Sequence, residues 1–149
     1  LSIFHGDLCF SNTLFDFKSG SVKVIDPRGF IDNHNSPTIY GDIRYDIAKL
    51  NHSLIGLYDH IIAGKFRLKQ EELTSFNFVI DSHEYSYFKL LEDLFNQHIV
   101  APFGYNSQEI LAITCLLFLS MLPLHQDNRL RQNALLANAL RIFIKLEDK

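Results

Sequence analysis

The run Phe4-His5-Gly6-Asp7-Leu8-Cys9-Phe10-Ser11-Asn12, followed after a short interval by Val22-Lys23-Val24-Ile25-Asp26-Pro27-Arg28-Gly29, organises the reading of the whole chain. Between the two lies a hairpin signal. "NTLFDF" and "SVKVID" flank Lys18-Ser19-Gly20, and the β-branched Val22, Val24 and Ile25 follow that turn. A strand that folds back here returns Asp26 beside Asn12. One loop then carries a carboxylate (Asp7) and an amide (Asn12), with a second carboxylate arriving next to them.

Outward from this segment the chain divides by texture. Residues up to Tyr40 read as short strands and loops, starting with "LSIF". After Gly41, Ile43, Ile47, Leu50, Leu54, Leu57 and Ile61 recur at helical steps, with Asp42 as N-cap. Phe76, Phe78 and Ile80 alternate as a strand, within a weaker strand region from Phe66 to Ile80. Ser82 is expected to open a helix carrying Tyr85, Phe88, Leu91, Leu94 and Phe95 on one face. Asn106-Ser107-Gln108-Glu109 reads as a capping box before the apolar run Ile110 to Leu124. That run is shorter than the roughly 20 residues a bilayer crossing needs and contains Pro123, so a core helix is expected. A last helix, about Asn128 to Leu146, should turn Leu130, Leu135, Leu136, Leu140 and Phe143 inward and Arg129, Arg131, Arg141 and Lys145 outward. The expected class is α+β and mostly helical.

Composition narrows the function. The chain has 149 residues, 47% hydrophobic and 21% charged, as a folded domain does, and a net charge of -3. That charge argues against a basic nucleic-acid face and against a polybasic membrane surface, so no nucleic acid and no membrane insertion are expected. Two cysteines, Cys9 and Cys115, make neither a disulfide framework nor a CxxC zinc site, which points to a reducing, cytoplasmic setting.

His5 to Asn12 matches the phosphoryl-transfer loop H-R-D-L-x-x-x-N of protein kinases at every fixed position except Gly6. Such chemistry needs a carboxylate that orients the attacking hydroxyl and takes its proton, and oxygen ligands that hold Mg²⁺ against a triphosphate. Together with "GDIRYDIAKL" (Gly41–Leu50), the chain resembles the aminoglycoside phosphotransferase and choline kinase superfamily, whose loop reads HGD. The resemblance covers about Phe4 to Leu50. It implies that Asp7 is the catalytic base, that Asn12 and Asp26 bind Mg²⁺, and that ATP is the phosphoryl donor. It implies that Asp46 braces the loop through backbone N–H groups and that His5 is structural. The acceptor would be a hydroxyl of a small polar molecule such as a sugar, aminoglycoside or amino alcohol. "IDPRG" with "GDIRYDIAKL" also resembles a branch found with bacterial surface-polysaccharide (capsular) genes.

The same resemblance implies the C-terminal lobe of a protein-kinase-like fold over residues 1–149. Residues 1–40 would hold the catalytic loop and metal-binding hairpin, and 41–149 a helical substrate subdomain. None of the seven glycines forms GxGxxG or GxxxxGK, and no strand lysine precedes His5, so the N-terminal nucleotide lobe is absent from these residues. The lobe is therefore expected to self-associate or to contact that missing lobe, and to be inactive alone. A non-catalytic kinase-like binding or assembly module is the alternative.

Several residues depart from the pattern or have plainer readings. Pro27-Arg28-Gly29 follows Asp26 with no further acidic ligand, and Pro27 disfavours a flip of the segment. Arg28 could contact phosphate or substrate, or make a local ion pair. Asp42 and Arg44 could line the substrate mouth, although capping explains Asp42 equally well. Cys9 reads as a buried neutral thiol. His52 and His60, on the first long helix, read as packing or surface residues rather than metal ligands.

Overall fold

The structure, a computed structural model, describes residues 1–31, 36–71, 75–80 and 85–147. Strand β1 (Ser2–Ile3) leads into the His5 loop. Thr13–Asp16 (β2) and Ser21–Val24 (β3) form the expected hairpin, with Thr13 opposite Val24. Its turn has a local cause. Asp16 accepts from the Lys18 N–H at 2.9 Å and the Ser19 hydroxyl at 2.6 Å, and Gly20 supplies φ 67°. Phe30–Ile31 (β4) pairs with Pro37–Thr38 (β5), and Tyr40–Gly41 (β6) pairs back to β1. This last pairing closes the segment into a loop system, with the Phe4 N–H bonded to the Ile39 carbonyl at 2.9 Å.

From Ile43 the described residues are mainly helical, apart from one hairpin. Helix α1 (Ile43–Leu54) is capped by Asp42, whose side chain accepts from the Arg44 N–H. The periodicity that continues through Leu57 and Ile61 does not give one helix. Gly56 and Leu57, the latter at φ 54°, break it, and α2 (Tyr58–Ile62) starts anew. His60 therefore sits on a different helix from His52. The cause is tertiary: α5 (Arg129–Glu147) satisfies the carbonyls at the break. Asn138 Nδ2 donates to the Gly56 carbonyl at 2.7 Å and the Arg141 guanidinium to that of Ile55 at 3.0 Å.

Strands β7 (Phe66–Gln70) and β8 (Phe76–Ile80) form the second hairpin, with Phe76, Phe78 and Ile80 on its more buried face. Helix α3 (Tyr85–Phe95) follows; its expected opening at Ser82 lies outside the described residues. A π turn (Asn96–Val100) and a 3-10 turn (Ala101–Phe103) lead to α4 (Ser107–Met121). Asn106 caps α4 by accepting from the Gln108 N–H at 2.9 Å, which is half of the expected box.

Two core clusters flank α4. Phe118, Cys115 and Leu111 meet Ile61 and the Ala134, Leu135, Ala139, Ile142 face of α5. Ile110 and Leu117 meet Ile47, Ala48, Phe95 and Val100. Ser107–His125 is long and apolar enough to span a membrane by length and composition, but here it is packed between α1 and α5. The expected inward face of α5 is partly wrong. Alanines 134, 137 and 139 and the fully buried Asn138 face the core, while Leu130, Leu140 and Phe143 are exposed. Small residues let α5 approach α4 closely, and the larger apolar ones are left outside. Arg141, expected outward, reaches into the α1–α2 break. The fold is α+β and mostly helical.

Candidate active site

Asp46, fully buried in the first turn of α1, receives the loop. Its Oδ2 accepts the His5 N–H at 2.6 Å and its Oδ1 the Gly6 N–H at 2.9 Å. Bonds from backbone N–H to a buried carboxylate are charge-assisted and about twice as strong as neutral ones. They fix the direction in which the chain leaves toward Asp7. His5 ties the loop to the second segment: its Nε2–H donates to the Ile25 carbonyl at 2.8 Å, and its Nδ1 accepts the Asp7 N–H at 3.3 Å. The His5 carbonyl takes the N–H groups of Arg28 and Gly29 at 2.8 and 3.0 Å. "HGD" and "DPRG" are thus laced together through one histidine.

Asp7 sits in a nest of positive charge. Lys49 Nζ lies 2.7 Å from Oδ1, and the Arg28 guanidinium 3.1 Å from Oδ2. Burial alone would push the Asp7 carboxyl up. The Lys49 ammonium bonded to it, with Arg28 and His5 nearby, outweighs that and holds the carboxyl below its usual range. Arg28, read as either a local ion pair or a phosphate contact, is placed on the Asp7 carboxylate itself.

Asn12 closes the loop from below. Its Nδ2 donates to the Asp7 carbonyl at 2.9 Å and lies 3.4 Å from Asp7 Oδ2. Because the nitrogen is engaged, the Oδ1 oxygen is the atom left for a ligand. The Ile25 N–H donates to the Asn12 carbonyl at 3.0 Å, which brings Asp26 to the residue beside Asn12's backbone partner. Asp26 is exposed at φ 56°, a left-handed conformation that costs a non-glycine residue about 1 kcal/mol. Its carboxylate has no hydrogen bond or ion pair among the described residues. A left-handed non-glycine residue is uncommon, although Asp adopts that conformation more readily than most.

The donor set fits Mg²⁺. That ion commonly takes one or two protein oxygens and fills its octahedron with water and phosphate, and the Asn12 amide oxygen and Asp26 carboxylate are of that kind. Among the described residues no three His, Cys, Asp or Glu side chains group as a closed metal cage. His52 is instead a core residue, its ring between Tyr58 and Phe118 at 4.5 and 4.0 Å centroid separation.

Asp42 and Arg44 are not brought to this site. They bind each other, with Arg44 Nε 2.9 Å from Asp42 Oδ2, and line a cleft of about 300 Å³ with Leu1, Ser2, Gly41, Ile43 and Tyr105. Cys9 is buried, its thiol 3.1 Å from the Ser11 hydroxyl.

The sequence reading passed over Lys49 and Ser53. Both were legible from the Asp46 helix, because positions 46, 49 and 53 share one face at i, i+3 and i+7. Along that face Asp46 takes the His5 and Gly6 N–H groups, Lys49 takes Asp7, and the Ser53 hydroxyl accepts the Phe10 N–H at 3.2 Å. Three polar side chains, all at least partly buried, on one stripe of a helix signal a polar partner.

No family model, curated protein or solved structure matches the chain.

Proposed function

We propose that this chain carries the catalytic half of an ATP- and Mg²⁺-dependent phosphotransferase acting on a hydroxyl of a small polar molecule. One observation carries the reading. An anchored carboxylate (Asp7) and an amide whose oxygen has no partner among the described residues (Asn12) share one loop, and the segment that carries the unpartnered Asp26 is laced to that loop through His5 and the Ile25–Asn12 backbone bond. Asp7 would orient the acceptor hydroxyl and take its proton as the oxygen attacks. Asp46 and His5 position the loop and take no part in proton transfer. Mg²⁺, held by Asn12 and Asp26, would supply charge neutralisation on the phosphates. The grip on the nucleotide belongs, on this reading, to a lobe outside these 149 residues. Sugars are an apt acceptor class, in keeping with the resemblance to the capsular-polysaccharide branch.

The test uses the complete gene product with MgATP and a panel of sugars, aminoglycosides and amino alcohols. Asp7→Ala should lower kcat by about 10²- to 10⁴-fold, the usual range for a positioned general base. Asp26→Asn keeps a residue that tolerates the left-handed backbone, so stability should change by less than about 0.5 kcal/mol. Mg²⁺-dependent nucleotide binding should nevertheless be lost. Undiminished MgATP affinity in Asp26→Asn would show that the metal lies elsewhere. Nucleotide binding without turnover of any acceptor would favour the non-catalytic module.

A further inference from the structure

Lys49 is more deeply placed than its bonding explains. Its side chain is 12% exposed, yet among the described residues its ammonium has one partner, Asp7 Oδ1 at 2.7 Å. An ammonium carries three N–H donors, and groups withdrawn from water normally fill them. Two are uncommitted here, and they lie at the carboxylate that the phosphotransferase reading places against the reacting hydroxyl. The second cation on Asp7 differs in kind. The Arg28 side chain is 66% exposed and holds Oδ2 at 3.1 Å, while its backbone N–H is fixed on the His5 carbonyl. Arg28 can swing away without disturbing the loop, which opens Oδ2 to an incoming hydroxyl. Lys49, rooted in α1 one turn from Asp46, stays on Oδ1.

We propose that Lys49 is a catalytic residue whose spare N–H donors bind the non-bridging oxygens of the phosphoryl group in transfer. This rests on the phosphotransferase reading of the site. In the step, the acceptor hydroxyl gives its proton to Asp7 and its oxygen forms the new bond to phosphorus. The bond from phosphorus to the departing nucleoside diphosphate breaks, and its electron pair leaves with the diphosphate. Lys49 keeps its protons and its charge throughout. Its task is to bridge base and phosphoryl group, so that the attacking oxygen and the phosphorus are held on one side chain's length of each other. A point charge held rigidly where negative charge shifts needs no reorganisation when the reaction occurs.

Inorganic phosphate is the probe, titrated calorimetrically into the complete gene product at fixed ionic strength. Asp7→Asn removes the charge that occupies Lys49 and should bind phosphate about tenfold more tightly than the unsubstituted protein, the gain expected of one charge-assisted contact. Asp7→Asn/Lys49→Met should lose that gain, Asp7→Asn/Lys49→Arg should recover part of it, and Asp7→Asn/Arg28→Ala should keep most of it. In Asp7→Asn labelled with ¹⁵N at lysine Nζ, phosphate should shift one resonance, an arm that needs no change at Lys49. With nucleotide and acceptor, Lys49→Met should lower kcat at least about tenfold with the acceptor KM little changed. A phosphate gain that survives Lys49→Met, or an unmoved Nζ resonance, overturns the proposal even where the protein is an active phosphotransferase. Loss of the gain in Lys49→Met in a protein that never turns over MgATP upholds the phosphate site and removes the phosphotransferase reading instead.

Discussion

A methyl group at position 6 would lie 2.3 Å from the Gly29 carbonyl oxygen, and the backbone there has φ 80°. Gly6 is therefore required twice, by conformation and by the close approach of the Pro27-Arg28-Gly29 segment. In the sequence it reads as the glycine of an HGD loop in place of the arginine of HRD, since a motif shows which residue is present and not what lies over it. Gly6→Ala should destabilise the fold by more than about 2 kcal/mol, with about 1 kcal/mol from the left-handed backbone and the rest from displacing Gly29. Gly20→Ala is the control. Its φ is 67° but nothing lies within 4 Å, so only the backbone cost of about 1 kcal/mol should appear in denaturant unfolding. Equal costs at the two positions would dismiss the close approach. His52 offers a second residue-scale outcome. Burial, and then the neighbouring Lys49 charge, push its pKa down to about 3 from 6.5, against a small opposing pull from Asp7. Neither ring nitrogen has a hydrogen-bond partner among the described residues. The unfolded chain takes up a proton near pH 6.5 that the folded chain refuses until about pH 3. The contribution of neutral His52 is thus complete above pH 6.5 and is lost as pH falls toward 3. His52→Phe should flatten the acid side of the stability curve by at most about 1.4 kcal/mol per pH unit. An unchanged slope would mean that His52 is not held neutral.

Helix α1 shows how far element boundaries can be read. Its start at Asp42, a capping acid before an apolar period, is a local signal and was legible. Its end was not, because Leu57 and Ile61 continue the apolar spacing and the break is set by Asn138 and Arg141 from a helix more than eighty residues on. The face of α5 was misread for a related reason. Periodicity rewards the largest apolar residues, whereas the close α4–α5 contact selects alanine and leaves Leu140 and Phe143 outside. The site divides along the same line. Asp7, Asn12 and Asp26 lie on a contiguous motif and a tight hairpin, while Lys49 is marked in the sequence only by sharing the Asp46 face of α1 and meets Asp7 through the packing of that helix. Asn138→Leu tests the helix-break argument. It leaves the Gly56 carbonyl unpaired in the core, which should cost roughly 2 kcal/mol, within the range for an orphaned buried acceptor. A smaller loss than Leu140→Ala, on the exposed side of the same helix, would contradict the assignment.

At the scale of the whole molecule, apolar surface is unevenly placed. All four residues of β3 are exposed, Phe17 at the hairpin turn is 90% exposed, and Leu116, Phe143 and Ile144 lie open on α4 and α5. These side chains add little to the stability of the fold. Phe17 meets the Phe15 ring edge-on at 4.9 Å and Val22 lies opposite Phe15 across the hairpin, so Val22→Lys and Phe17→Lys should each cost at most about 1 kcal/mol while reducing binding of a hydrophobic dye to the native protein. A large loss of stability would mean that the hairpin packs against the body. The stripe of Asp46, Lys49 and Ser53 carries a different consequence, for what lengths the chain can tolerate. Because the three contacts meet the loop in order along one helix face, α1 acts as a ruler laid against residues 5–10. One residue inserted after Ala48 would turn everything beyond it by about 100°. Lys49 and Ser53 would swing off their partners together while Asp46 kept its own. Insertions at the Lys18-Ser19-Gly20 tip meet no such gauge. Descendants of this sequence are thus free to lengthen the hairpin but must change loop and helix as a matched pair.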